Sequence, residues 1–312
     1  MEDPGRKSSL AAWVWVLVAA VAVFELVAHP VIRAGVPSGD LWEDAAAFVR
    51  ERFEPTDRIV AAPRWVDPIV RSYLGDLLSA RSASVSDLAG VGRVWEVGVR
   101  GATRRSESPA LEESFGGVRV RMWPVVTEEL LFDFVEEIDR AEVDLFTEEG
   151  IQLCPWMQAK VRGGGLGHGP LPPPQRFVCD PARPWLWVGA TVMADLDLEP
   201  RRCVWQHPAG REPVRATFRD VPFGDKLVAH GGLDYNNERT AGNIAVRLRI
   251  FIDDRLAGEM RHQDRDGWSR LEIDTTRLNG TTHQVRIETT AAKSHARTFC
   301  WSASTRRGQG ER

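Results

Sequence analysis

Apolar and polar residues alternate strictly along Ile244–Ile252, with five apolar side chains on one face. A period of two over nine residues predicts a half-buried β-strand, because a helix would need a period near 3.6. Asp253-Asp254 then predicts a turn, and Leu256–Met260 can return as the hairpin partner. This segment therefore predicts an antiparallel pair.

Similar short runs surround this pair. Val214–Phe218 alternates, Leu271 and Ile273 follow Trp268 as inward positions, and Val285–Thr289 alternates again. Asn279-Gly280 predicts a tight hairpin between the last two runs, since both residues tolerate positive φ. Closely spaced strands without intervening helices predict an antiparallel, jelly-roll-like β-sandwich over residues 115–304. The polar residues 305–312 predict a disordered tail.

An unbroken run of fifteen apolar residues, Leu10–Phe24, lies near the beginning of the chain. With its extension past Glu25, the segment 10–28 would form a helix about 28 Å long, enough to cross a bilayer. Arg6 and Lys7 favour a cytoplasmic location for residues 1–9 and an extracytoplasmic location for the C-terminal part. The segment 10–28 is interpreted as an uncleaved transmembrane signal-anchor, and a cleaved signal peptide is the alternative.

The segment 38–104 has a mixed pattern. An amphipathic helix is predicted over Asp40–Phe53, and a buried strand over Arg58–Ala62. Asp67-Pro68 indicates the start of a second helix, through Leu78, and Arg93–Val99 resembles a second strand. These elements predict a small α/β unit with two parallel strands, so the fold class of the whole chain is α+β.

Composition restricts the functional classes. The net charge of −4 provides no basic field for a nucleic-acid partner. The chain has 12 Trp but 2 Tyr. Such an excess can indicate sugar-stacking platforms, although a core position is favoured for any single Trp in a sandwich.

The four cysteines allow three disulfide connectivities if they are oxidised. We predict Cys203–Cys300, joining the first and last strands of the sandwich, together with Cys154–Cys179. Four buried free thiols are the alternative. The chain has no Cys-x-x-Cys pair, so no structural zinc site is predicted.

Candidate ligand-binding residues fall in two places. Asp234, Asn236 and Asn237, followed by Glu238, form a cluster of oxygen donors after Gly231-Gly232. Such a loop can hold a structural Ca²⁺ or contact a ligand, and a solvated turn is the alternative. Trp268 and Arg270 are the candidate contacts for a glycan. The histidines lack metal-ligand spacing, so no catalytic metal is predicted.

Several short motifs recur as a set in a known family. They are Ala62–Pro68, Tyr73–Asp76, Val94–Val97, Arg100–Ala102, Arg202–Pro208, Asp220–Asp225 and Asp266–Trp268. Together they resemble the soluble extracytoplasmic region of bacterial protein-mannosyltransferase-like (GT-C type) membrane glycosyltransferases, over roughly residues 40 to 305. Those enzymes carry many transmembrane helices and a catalytic acidic residue between them, whereas this chain has one apolar segment. The resemblance therefore implies a glycan-contacting or accessory role, not transferase activity.

The sequence accordingly predicts a membrane-anchored extracytoplasmic protein with a glycan- or protein-binding β-sandwich and identifies no catalytic residue. One alternative is a carbohydrate-active enzyme, which would use a carboxylate pair that the sequence does not identify. Another is an accessory subunit of a polytopic membrane glycosyltransferase. No Gly-x-Ser-x-Gly nucleophile motif is present.

Overall fold

The computed structural model describes residues 5–79, 83–126, 128–161, 164, 169–240, 242 and 244–308, with backbone alone at residues 5–12, 31 and 34. The chain divides into two compact units. The first contains residues 1–55, 59–77 and 94–124, and the second contains residues 56–58, 78–93 and 125–312. Residues 1–4 of the predicted cytoplasmic segment and residues 309–312 of the predicted tail lie outside the described residues.

The first unit combines helices with a small sheet. Its elements are α1 (Gly5–Ala34), α2 (Gly39–Arg52), β1 (Asp57–Ala62), a 3₁₀ turn (Arg64–Val66), α3 (Asp67–Leu74), β2 (Arg93–Val99), β3 (Leu111–Phe115) and β4 (Val118–Pro124). The strands are ordered β1-β2-β4-β3, and β3 and β4 form an antiparallel hairpin. Trp42, Ala45 and Val49 are buried on one face of α2, as its helical period predicts.

This unit is larger than the sequence indicates. The predicted segment 38–104 contains the helices and β1 and β2, but the sheet continues through β3 and β4 to Pro124. The sandwich therefore does not begin at residue 115, since β4 belongs to the small sheet. The polar stretch before β3 hides this continuation, because β3 (Leu111–Phe115) has no buried residue that would mark it as a strand.

Within the described residues, the second unit is a β-sandwich of an eight-stranded and a six-stranded sheet. Its strands are β5 (Glu129–Asp133), β6 (Glu142–Thr147), β7 (Gly150–Leu153), β8 (Trp156–Gln158), β9 (Gln175–Val178), β10 (Trp187–Ala194), β11 (Pro200–Gln206), β12 (Val214–Pro222), β13 (Lys226–Leu233), β14 (Val246–Ile252), β15 (Arg255–His262), β16 (Ser269–Asp274), β17 (Thr282–Ala291) and β18 (Phe299–Arg307). The short helix α4 (Tyr235–Arg239) follows β13, and 3₁₀ turns occupy Ile138–Arg140 and Thr276–Leu278.

The eight-stranded sheet has the order β16-β13-β18-β11-β10-β9-β8, with β5 also paired to β18. The six-stranded sheet has the order β15-β14-β17-β12-β6-β7. The core between them takes Val204, Ala229 and Trp301 from the first sheet, and Leu248 and Ile287 from the second. Alternation along each strand supplies these inward residues, and the predicted antiparallel sandwich is confirmed.

The β14–β15 hairpin matches its sequence prediction. Val246, Leu248 and Ile250 are fully buried, and Asp253 and Asp254 adopt positive φ in the connecting turn. Asn and Asp tolerate this left-handed conformation better than most residues do, and two such residues in succession suit a two-residue hairpin loop.

The predicted Asn279-Gly280 hairpin is wrong. β16 pairs with β13 in the eight-stranded sheet, whereas β17 pairs with β12 and β14 in the other sheet. Gly280 has a φ of +80°, but the segment carries the chain from one sheet to the other. The predicted tail is also corrected, since β18 continues through Arg307 and pairs with both β13 and β5.

Both predicted disulfides are present, so the free-thiol alternative is wrong. Cys154 and Cys179 have Cα atoms 4.3 Å apart, and Cys203 and Cys300 have Cα atoms 5.7 Å apart. The second bridge joins the neighbouring strands β11 and β18 of one sheet. It does not join the first and last strands of the sandwich, because β5 to β10 precede β11.

One helix in the described chain, α1, is long and apolar enough to cross a membrane, and Trp13–Pro30 is its candidate spanning window. No side chain in this window is buried. The helix exceeds the predicted segment 10–28 at both ends. Length and composition are what support a membrane-spanning role for it.

Candidate ligand-binding site

The outer face of the eight-stranded sheet carries a second apolar layer. It consists of Trp187 and Met193 from β10, Cys203 and Trp205 from β11, and Cys300 from β18, with Trp268 packed against them. The layer arises because side chains alternate along a strand. Val204, next to Trp205, points into the sandwich core, whereas Trp205 points out.

A cavity of about 520 Å³ lies at one end of this layer. The beginning of β10, the end of β11, the end of β13 and the beginning of β18 meet there, because these neighbouring strands are antiparallel. The lining residues are Gly164, Gly169, Pro170, Pro172, Pro184, Trp185, Trp187, Trp205, His207, Asp234, Asn236, Asn237, Ser294, His295, Ala296 and Thr298. Its size suits a small organic ligand or a sugar unit.

Three tryptophans form the aromatic part of the wall. The rings of Trp187 and Trp205 stack with centroids 5.2 Å apart and an interplanar angle of 13°. Gly189 lies opposite Trp205 in the strand pair, and a Cβ there would lie 3.1 Å from the Arg176 Cβ, so glycine leaves space for the side chain of the neighbouring strand β9. The Trp205 indole N–H donates to the carbonyl oxygen of Trp185, 3.1 Å away.

His207 extends the aromatic wall and contributes a polar atom. Its ring centroid lies 4.5 Å from that of Trp185 and 5.7 Å from that of Trp205. Burial lowers the pKa of His207 to about 4, so the imidazole is neutral at neutral pH. Nδ1 lies 2.9 Å from the carbonyl oxygen of Pro208 and therefore carries the hydrogen. Nε2 is then a hydrogen-bond acceptor.

The polar side of the cavity is organised by Asp234, which is buried and precedes α4. Its Oδ1 accepts from the backbone N–H of Asn236 at 2.9 Å and of Asn237 at 3.3 Å, as a helix N-cap. Its Oδ2 accepts from Asn237 Nδ2 at 2.6 Å and from the Thr298 hydroxyl. These bonds hold two cavity-lining side chains in place.

The structure separates the two groups of predicted site residues. Asp234, Asn236 and Asn237 all line the cavity, whereas Trp268 and Arg270 do not. Trp268 is half-buried against the outer apolar layer, with the Arg201 guanidinium 5.8 Å from its ring. Arg270 is exposed and pairs with Glu272.

Trp185, Trp187, Trp205 and His207 are site residues that the sequence prediction missed. The one feature of the sequence that could have identified them is their spacing. Trp185 and Trp187 are two residues apart, as are Trp205 and His207, so each pair is placed on one side of an extended segment. The apolar pattern of Trp185–Met193 predicts a strand, and β11 follows it as its antiparallel neighbour. No local pattern indicates that the end of β13 and the beginning of β18 lie beside them.

Glu238, the remaining oxygen donor of the predicted cluster, is turned away from solvent. It is fully buried, and its Oε1 lies 2.6 Å from His262 Nε2. Its Oε2 accepts from the backbone N–H of Arg265 at 2.7 Å. Within the described residues no three His, Cys, Asp or Glu side chains cluster as a metal site requires. A structural Ca²⁺ in this loop stays a prediction.

No protein-family model and no curated protein matches the sequence. Among solved structures, one match is the second CBM51 domain with the INT domains of Clostridium perfringens ZmpB, in complex with GlcNAc. Its identity is 10% and its TM-score 0.31, covering 68% of this chain and 40% of that one. A second match is the structure of the CBM51-2 and INT domains from Clostridium perfringens ZmpB. Its identity is 11% and its TM-score 0.30, and the match covers 58% of this chain and 40% of that one.

A third match is CBM51 from Clostridium perfringens GH95 in complex with methyl-galactose, with 7% identity and a TM-score of 0.29. It covers 38% of this chain and 81% of that one. The chain thus spans 40% of the length of the first two structures. Because these TM-scores are low, the function of this chain is inferred from its own contacts.

Proposed function

We propose that the second unit binds a glycan in the tryptophan-lined cavity. The observation that carries this proposal is the combination of three Trp rings with a fixed set of polar side chains around one space of about 520 Å³. Sugar rings present apolar C–H faces and a rim of hydroxyl groups. Aromatic faces suit the former, and amide, imidazole and carboxylate groups suit the latter.

Binding is favoured over hydrolysis at this site. A glycosidase of the common type needs two carboxyl groups flanking the scissile bond. Among the described residues that line the cavity, Asp234 is the single carboxylate, and its two oxygens each accept two hydrogen bonds. The cavity therefore supplies contacts for a sugar and lacks a carboxylate pair.

We also propose that α1 anchors the chain in a membrane and that the sandwich lies outside the cytoplasm. The apolar window Trp13–Pro30 supports the anchor. The two disulfides support an oxidising compartment, since such bonds are rare in the cytosol. Retention of the full chain in membranes after alkaline extraction is the expected result, and release by alkali would favour a cleaved signal peptide.

The binding proposal is tested with the full chain in detergent micelles. A glycan array identifies ligands, and isothermal titration calorimetry measures their affinity. Trp185→Ala should weaken binding by at least about tenfold, because it removes a half-buried part of the aromatic wall. Trp65→Ala is the control, since Trp65 is 58% exposed and belongs to the other unit. It should leave the affinity unchanged.

Two results would contradict glycan binding at this cavity. One is a folded protein that binds no glycan on the array, and the other is an affinity that Trp185→Ala does not alter. The first result would favour a docking subunit for a polytopic membrane glycosyltransferase, which stays a prediction. A pull-down from native membranes, with the transferase identified by mass spectrometry, tests that alternative.

A further inference from the structure

The orientation of the Asn237 amide is determined by its neighbours. Asn237 Nδ2 lies 2.6 Å from Asp234 Oδ2 and also donates to Thr298 Oγ1. A carboxylate oxygen can only accept, so the amide atom beside it must be the NH₂ group. The Thr298 hydroxyl donates its own hydrogen to Asp234, which leaves its oxygen to accept from Asn237. Asn237 Oδ1 is therefore left as an acceptor.

His207 supplies a second acceptor to the same cavity. Its Nδ1 is occupied by the Pro208 carbonyl oxygen, and its Nε2 carries a lone pair. His207 Nε2 and Asn237 Oδ1 thus both offer acceptors to a ligand. A ligand that fits them must donate hydrogen bonds, as sugar hydroxyl groups do.

Two arginines near the cavity, Arg297 and Arg183, form ion pairs with other residues. None of the described residues that line it is Lys or Arg. Arg297 lies between two lining residues in the chain and is fully buried. Its Nη1 bonds to Asp264 and to the Ile244 carbonyl oxygen, whereas its Nε and Nη2 have no hydrogen-bond partner among the described residues. Arg183 lies 5.9 Å from the Trp185 ring and pairs with Asp180 at 2.7 Å. A ligand carboxylate would therefore meet Asp234 without a lining Lys or Arg to pair with.

We propose that the cavity selects an uncharged sugar unit, which donates hydroxyl hydrogens to His207 Nε2 and Asn237 Oδ1, over the acidic sugar of the same shape. This inference rests on the proposed glycan binding. An acidic sugar would bring its charge beside the Asp234 carboxylate and its acceptor oxygens against acceptors. Like charges facing each other and unpaired buried acceptors both weaken binding.

The test uses matched sugars that differ at one carbon. Glucose, galactose and mannose are each compared with their uronic acids, in which C6 is a carboxylate, by calorimetric titration of the full chain. Every sugar is titrated in the same buffer and at the same pH. We expect at least one neutral sugar to bind and its uronic acid to bind at least about tenfold more weakly.

Asp234→Asn should reduce the difference in affinity between the neutral sugar and its uronic acid, because it removes the charge and keeps an N-capping side chain. The matched control is Asp220→Asn, an exposed position with a φ of +53° outside the cavity. It removes the same charge and should leave both affinities unchanged. If both variants reduced this affinity difference equally, the effect would come from the net charge of the protein, and the assignment to Asp234 would be overturned.

The outcomes separate the two proposals. A uronic acid that binds as tightly as its neutral partner overturns the selectivity and leaves glycan binding in place. Absence of binding by every sugar of the panel, neutral and acidic, together with an empty glycan array, overturns both. Both proposals are supported if a neutral sugar binds, its uronic acid binds more weakly as expected, and Asp234→Asn reduces this difference whereas Asp220→Asn does not.

Discussion

Removal of the Cys203–Cys300 disulfide should destabilise the protein more than removal of Cys154–Cys179. The perturbation is a pair of Cys→Ala substitutions at one bridge, with the other bridge left intact. The closed loops differ in length, with sequence separations of 97 and 25 residues. In the chain-entropy model these loops correspond to about 4.7 and about 3.5 kcal/mol of unfolding free energy.

All four cysteines are buried, so the packing lost on substitution is comparable at the two disulfides. The difference between the double variants, about 1 kcal/mol, then comes from the unfolded chain. Equilibrium urea unfolding of the full chain in micelles measures it. The intrinsic fluorescence of 12 Trp reports the transition.

Two results would refute this reasoning. Equal losses for both variants, or a larger loss for the shorter loop, would show that loop closure does not govern the contribution of these bridges. A loss near zero for Cys203→Ala with Cys300→Ala would show that the sheet pairing of β11 and β18 holds the strands together without the bridge.

Three further predictions concern buried polar and aromatic groups. Trp268→Ala should cost about 2 to 4 kcal/mol in urea unfolding yet leave glycan affinity unchanged, since Trp268 packs on the outer layer away from the cavity lining. Lost affinity without lost stability would contradict this. Burial lowers the pKa of both His207 and His230 from 6.5 to about 4, so the unfolded chain binds more protons in that range. Stability is therefore full above about pH 6.5 and falls as the pH drops towards 4, by about 3 kcal/mol for each histidine; His230→Gln should reduce the slope, and an unchanged slope would contradict the assignment. Glu238→Ala should cost about 3 to 5 kcal/mol, because it leaves His262 buried without its partner; a loss below about 1 kcal/mol, measured by thermal unfolding, would show that the pair is dispensable.

Local sequence pattern is sufficient for the elements whose two faces differ in environment. The period of two in β14 and the apolar stripe of α2 each indicate which side of the element is buried. The sequence limits the four cysteines to three disulfide connectivities but does not choose among them, and the structure contains the predicted pairs.

Strand partners are not accessible in the same way. Asn279-Gly280 has the composition of a hairpin loop, yet the strands on its two sides belong to different sheets. A turn residue determines what φ the backbone can adopt, and it does not determine which strand the chain pairs with afterwards. For the same reason, the sequence pattern assigns β4 to the sandwich although it pairs in the small sheet.

The sequence alone determined which residue types the site could draw on, including the cluster of Asp234, Asn236 and Asn237. The tertiary structure alone brought that cluster to the tryptophans and placed Trp268 and Arg270 away from it. The physical reason is that the cavity is formed at the ends of β10, β11, β13 and β18, and β18 lies far along the chain from the other three strands. Their register places Trp187, Trp205 and Asp234 around one space, and no local pattern encodes that register.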